Sequence, residues 1–327
     1  MRTLVVDALF LRDGLPLSSY LTHVLSASCR EPSSVLVLTA HPGRVREAGT
    51  IHRSERSGMS VIVIESGPPG ASSQHVAARI RQSLQAVLAA YPADTVHIIG
   101  AQDRLSPVDF QQALPHANVT LTEIFGAPDP HLDIRSIAGG GRRVPIPSRL
   151  GAPRPKRTAG SPRLGALASH ITEPAAWTLL REAFLVLNRS DFDFIVTGDT
   201  TPRVLGLWPC AGLLRPLPLR DLRDLDTFFD AIDVLLWPAT AVTMPSYAVQ
   251  EALSREIPVV LVGDAVLATD SRAQYSEILG GDATLISKGL SAVIEAVHER
   301  SLPVGMAART TGIDRALAAL DVVSAPD

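Results

Sequence analysis

Short runs rich in β-branched residues alternate with longer stretches of helical periodicity along most of this chain, and that alternation is its strongest constraint. The runs "TLVVDAL" (3–9), "SVLVLTA" (34–40), "MSVIVIES" (59–66), "DTVHIIG" (94–100) and "NVTLT" (118–122) read as strands. Between the third and fourth, "SQHVAARIRQSLQAVLAAY" places apolar residues 76, 77, 80, 84, 87 and 88 on one helical face. Strand, helix, strand in this order predicts parallel sheets covered by helices.

The pattern is interrupted over 126–163, where "GAPDPHLDIRSIAGGGRRVPIPSRLGAPRPKRTAGSPR" is dense in Gly, Pro, Arg and Lys. No continuous core face can be drawn there, so the segment reads as an interdomain connection. Alternation then resumes. Strands are expected at 163–169, 192–198, 233–239, 258–263 and, in "ATLIS", at 283–287; helices are expected over 174–189, 221–230, 245–254, 290–300 and 305–323. Two βα units in tandem follow, with no sequence repeat between them.

Composition narrows the function. With 327 residues, 46% hydrophobic, and a net charge of -3, the chain is long enough for two domains and has no basic excess that would point to nucleic acid. Cys29 and Cys210 have no CxxC or Cys/His spacing, so neither a zinc site nor a disulfide framework is expected, and a cytoplasmic location fits best. The N-terminal apolar run is too short for a secretory signal before Arg12 and Asp13.

One stretch carries more specific information. "FFDAIDVLLWPATAVTMPSYAVQEALSREIPVVLVGD" (228–264) has an aspartate-led strand, a proline, a small-residue helix bearing Glu251, and an Ile-Pro-Val-Val exit. It resembles the donor-site signature of the retaining nucleotide-sugar glycosyltransferases of the GT-B fold, the family that includes sucrose- and mannosyl-transferring enzymes. Supporting similarity lies in "RRVPIPSRLG", which resembles that family's domain-entry strand, in "RLGALASHITEPAAWTLLREAFLVL" and "FDFIVTGD", and in "ADTVHIIG". The resemblance spans most of 94–300 and is strongest at 228–264.

The resemblance implies an α/β protein of two Rossmann-like βα domains facing across a cleft. Residues 1–145 would form an abbreviated acceptor-side domain and 146–304 the donor domain, with a C-terminal helix in 305–327 packing back on the first. It implies that Glu251 binds the nucleotide ribose, and that Ser246, Tyr247, Ser169, His170 and Arg215 complete the donor site, Arg215 in the loop that holds the base. Thr243 stands where the family has a first glutamate, and Glu123 stands at a histidine position; both become catalytic candidates. Asp13 and Gly14 fall in the acceptor-side loop. His97 marks a strand and is given no role. No metal and no cofactor are implied, and "DFD" (191–193) reads as a turn before a strand.

The expected activity is transfer of a sugar, with retention, from a nucleotide-sugar to a small-molecule or lipid-linked acceptor. Peripheral membrane contact and homo- or hetero-oligomer formation are left open. The departures support an alternative. Thr243 supplies no charge, Pro245 no amide, and the segment "GALASHITEPAAW" lacks the family's diphosphate-binding Arg and Lys. These losses would suit a non-catalytic accessory protein that partners an active glycosyltransferase. A sugar-nucleotide epimerase of the same fold would require His/Glu/Asp clusters that the sequence does not display.

Overall fold

The computed structural model describes residues 2–7, 17–28, 34–39, 47–56, 59–65, 74–99, 107–123, 131–136, 141–145, 147–148, 160–167, 174–197, 214–217, 222–238, 247–263, 272–305 and 311–312. Its first half is built on strands β1 (Thr3–Asp7), β2 (Ser34–Thr39), β3 (Ile51–Arg56), β4 (Met59–Glu65), β5 (Thr95–Ile99), β6 (Asn118–Glu123), β7 (His131–Ser136) and β8 (Gly141–Pro145). Helices α1 (Leu17–Ser28), α2 (Gln74–Ala90) and α3 (Pro107–Ala113) lie between them. These strands form one eight-stranded sheet in the order β3-β4-β2-β1-β5-β6-β7-β8. The five inner strands, β4 to β6, are parallel, whereas β3, β7 and β8 pair antiparallel at the two margins.

The second half carries β9 (Pro147–Ser148), β10 (Arg163–Leu167), β11 (Asp193–Thr197), β12 (Leu214–Leu217), β13 (Val234–Pro238), β14 (Val259–Val262), β15 (Glu277–Leu279) and β16 (Thr311–Gly312). Its helices are α4 (Pro174–Leu187), α5 (Leu222–Ala231), α6 (Tyr247–Ser254) and α7 (Ala283–His298). Six strands form an all-parallel sheet in the order β12-β11-β10-β13-β14-β15. Numbered from β10, this is the 3-2-1-4-5-6 order of a doubly wound dinucleotide-binding sheet, with its switch point between β10 and β13. In the first sheet the same reversal falls between β1 and β5.

Alternation along the strands sets the layers. Leu4, Val6, Ile62, Ile64, Val96 and Ile98 share one buried cluster with Ile80, Leu84, Val87 and Leu88 of α2 and with Phe110 of α3. In the second sheet Leu164, Ala166, Phe194, Val196, Val234, Leu236, Val260 and Val262 pack on α4 and α7. The opposite faces meet in a single cluster. It runs from Val5 and Ile99 through Tyr20, Leu21, Val24 and Leu25 of α1 to Tyr247, Ala248, Val249, Ala252 and Leu253 of α6. Phe228 and Phe229 of α5, with Ile195, Leu235 and Val259 of the second sheet, complete it.

Four expectations are corrected. The basic, Gly/Pro-rich segment is not a bare connection: β7 and β8 form an antiparallel ladder that widens the first sheet, and "RRVP" of the expected domain-entry strand belongs to it. Antiparallel edge strands need only alternate residues apolar, a pattern that Arg- and Gly-rich sequence hides. "ATLIS" begins a helix: Asp282 caps α7, its carboxylate accepting from the Thr284 and Leu285 amides at 2.9 Å. Capping outweighs the β-propensity of a short run, because it satisfies amides that would otherwise be orphaned. The C-terminal helix expected over 305–323 is not continuous, since Thr311 and Gly312 pair with Pro147 and Ser148 as β16 on β9. Finally, Arg215 lies inside β12, in register with Ile195 of β11, and not in a loop.

Candidate functional site

In an open parallel sheet, ligands collect beyond the carboxyl ends of the strands near the switch point, where the connecting segments diverge. Here α6 follows β13, the strand flanking the switch point of the second sheet, and it presents Tyr247, Glu251 and Ser254 along one side at i, i+4 and i+7 spacing. Every residue from Tyr247 to Leu253 is buried. An ordinary covering helix buries one stripe and leaves the other to water. α6 is covered all round, and so is α1 over Tyr20–Ser26.

At one point the two helices cover each other. The Tyr20 and Tyr247 rings are stacked, with centroids 4.3 Å apart and planes 8° from parallel. The Tyr20 hydroxyl donates a hydrogen bond to Glu251 Oε1. Glu251 is 0% exposed. A buried carboxylate loses several kcal/mol of hydration, and a charge-assisted hydrogen bond from a phenol offsets part of that loss. The Tyr247 hydroxyl is held well above its ordinary pKa, first by burial and then by the charge on Glu251. It therefore stays protonated beside the carboxylate.

The C-terminal end of α6 is anchored separately. Arg255 reaches back to α5, donating to Asp230 at 2.7 Å and to Asp226 at 2.9 Å, with its guanidinium 5.7 Å from the Phe229 ring centroid. Arg255 is itself buried, so this clamp fixes the helix, and with it the placement of Glu251.

On the first sheet, Asp7 ends β1 at the switch point and is fully buried, accepting from Thr22 of α1 at 2.5 Å. His97 lies within β5, buried, with Nδ1 2.7 Å from Thr120 Oγ1 of β6; burial lowers its pKa to about 4. Glu65 ends β4, buried, 3.6 Å from His52 Nε2. Among the described residues no group of three or more His, Cys, Asp or Glu side chains is placed to hold a metal ion. No helix among them is long and apolar enough to cross a membrane.

Of the residues singled out from sequence, the structure places Glu251 and Tyr247 together. Glu123 ends β6, its backbone in register with Asp133 of β7. Asp13, Gly14, Ser169, His170, Thr243 and Ser246 lie outside the described residues; in chain order they fall between β1 and α1, between β10 and α4, and between β13 and α6. Sequence reasoning missed Tyr20. Its partner is 231 residues away, and a tyrosine in an apolar helix gives no sign of what its hydroxyl will meet.

No model of a known protein family matches the sequence, and no curated protein matches it. Solved structures do resemble it throughout. The HepE protein of Anabaena, in complex with UDP and glucose, superposes with a TM-score of 0.55 at 12% identity, covering 99% of this chain and 100% of that one. UDP-GlcNAc 2-epimerase from Neisseria meningitidis, bound to UDP-GlcNAc, gives 0.52 at 11% identity over 99% of both chains. AviGT4, a glycosyltransferase involved in avilamycin A biosynthesis, gives 0.51 at 14% identity over 100% of this chain and 99% of that one. The chain has the GT-B fold, with two Rossmann-like halves.

Proposed function

We propose that this protein is a GT-B glycosyltransferase that takes a sugar from a nucleotide-sugar and passes it, with retention, to a small-molecule or lipid-linked acceptor. The observation that carries the reading is Glu251: a carboxylate on the helix that leaves the switch-point strand of a 3-2-1-4-5-6 sheet, held in place by the Arg255 clamp. On this reading the carboxylate accepts from two vicinal ribose hydroxyls. Residues 1–145 form the acceptor-side half and 146–304 the donor half. Ser169, His170, Ser246, Arg215 and the Tyr247 amide contribute to diphosphate and donor binding, Thr243 and Glu123 lie toward the reacting sugar, and Asp13 and Gly14 toward the acceptor. Catalysis depends on positioning and on support of the departing diphosphate, whose oxygen takes the acceptor proton. The known structures that share the fold add support, since one holds UDP and glucose and another is named a glycosyltransferase.

A nucleoside diphosphate at a hundred times its dissociation constant stabilises its protein by about 2.7 kcal/mol. A thermal-shift panel of nucleoside diphosphates and their sugar conjugates therefore identifies the donor. Glu251→Ala should weaken the binding of that nucleotide by about tenfold or more, because each charge-assisted bond is worth about 1.5–3 kcal/mol. The 2′-deoxy nucleotide should bind poorly to the unsubstituted protein and lose little more in the variant. Unchanged affinity in Glu251→Ala sinks this reading. The anomeric configuration of the product, read by NMR, decides retention.

A second reading is favoured by one specific observation, the bond from Tyr20 to a fully buried Glu251. In an accessory protein without transferase activity, that contact is a permanent joint between the halves. Failure of every nucleotide in the panel to stabilise the protein selects it.

A further inference from the structure

Within the shared apolar cluster, the contact at Glu251 includes a ring stack and a hydrogen bond, and it links two sheets that share no strand among the described residues. Separating the halves at this point breaks no backbone ladder between the two large sheets. What it uncovers is a carboxylate that accepts from a hydroxyl, one turn along a helix from an aromatic ring face. A hydroxylated ring seated against Tyr247, with its hydroxyls toward Glu251, would meet both needs that the Tyr20 phenol meets now.

We propose that Tyr20 is a self-ligand of this site: its phenol occupies Glu251 and the Tyr247 face in the closed molecule and withdraws with α1 when a nucleoside enters. The inference rests on the reading of Glu251 as a ribose-binding carboxylate. It makes α1, an element of the other half, the gate of the donor site. The first half then contributes more than an acceptor surface, because its position sets how much nucleotide-competent protein is present. A ligand whose competent state is only fractionally populated binds with its affinity reduced by that fraction.

Tyr20→Phe tests the idea, since it keeps the stacked ring and removes only the hydroxyl. Two measurements are made on the full chain: isothermal titration with UDP, GDP and ADP, and amide hydrogen exchange without ligand. Loss of a charge-assisted hydrogen bond should shift the closed-to-open equilibrium by about tenfold or more. Exchange across 247–254 should accelerate by about that factor, with α2 and α7 unchanged. The nucleotide that binds should bind about tenfold tighter to the variant. A merely structural contact predicts the opposite sign, because damaging a binding half weakens binding. Unaltered exchange across 247–254 overturns the proposal whatever the titration shows, and so does equal or weaker nucleotide binding by the variant. If none of the three nucleotides binds either protein, this proposal falls together with the nucleotide reading of Glu251; a nucleotide that binds both proteins equally overturns the gate alone.

Discussion

His97 shows how one buried side chain ties stability to pH. Its ring lies among strands of the first sheet, and burial lowers its pKa from 6.5 to about 4. The folded protein therefore keeps the imidazole neutral where the unfolded chain would protonate it. Above pH 6.5 neither state takes up the proton and the stability is complete. As pH falls from 6.5 toward 4 the unfolded state binds more protons, and stability is lost by an amount on the order of 3 kcal/mol. Urea unfolding at pH 7 and at pH 4.5 should show this loss. His97→Gln can keep a hydrogen bond to Thr120 without the titration, and most of the difference between the two pH values should vanish. An equal acid loss in the variant would assign it to other groups. Tyr247 titrates in the other direction: its raised pKa means that stability declines only as pH rises past about 10.

At the scale of elements, β10 shows why a glycine can be demanded by packing. A Cβ added to Gly165 would lie 2.3 Å from Ile232 Cγ2 and 2.9 Å from its Cδ1, where Ile232 follows α5. Close approach of α5 to the central strand depends on the missing side chain. Gly165→Ala should cost about 1–3 kcal/mol by overpacking. Ile232→Ala alone also destabilises, by leaving a cavity. Combining them should cost less than the sum of the two, because each relieves the other. Chemical denaturation of the four proteins closes that cycle, and strict additivity would mean that the strand and helix do not press on each other here.

For the whole molecule the decisive feature is the cluster that joins both halves through α1 and α6. Each half has its own sheet and its own outer core. Without the shared cluster they could unfold separately. With it, losing either half strips the apolar cover from the other, so unfolding should occur in one calorimetric transition with equal calorimetric and van't Hoff enthalpies. Two resolved transitions would show that the shared cluster does not couple the halves. The gating motion proposed for Tyr20 is compatible with one transition, because a shift of α1 that frees the Tyr20 hydroxyl leaves both sheets folded.

Much of this was legible without coordinates. Inner strands such as β1, β5, β10, β13 and β14 stand out because a parallel strand covered on both faces must be apolar almost throughout. Helix α2 stands out because its apolar residues recur with the helical period. Glu251 could be singled out because a charged residue on a helix otherwise made of small and apolar residues needs a partner. Where the ladder is antiparallel or short, as in β3, β7, β8 and β15, local sequence carries little signal, and the strands exist because a sheet edge is there to receive them. The cap at Asp282 overrode the propensity of the residues after it. Tyr20 marks the limit most plainly. That a helix would form over residues 17–28 is a local property, set by neighbours a turn away. That its tyrosine would meet a carboxylate 231 positions later depends on how two finished sheets come together, and such long-range closure is decided by packing of the assembled faces and leaves no periodicity in either segment.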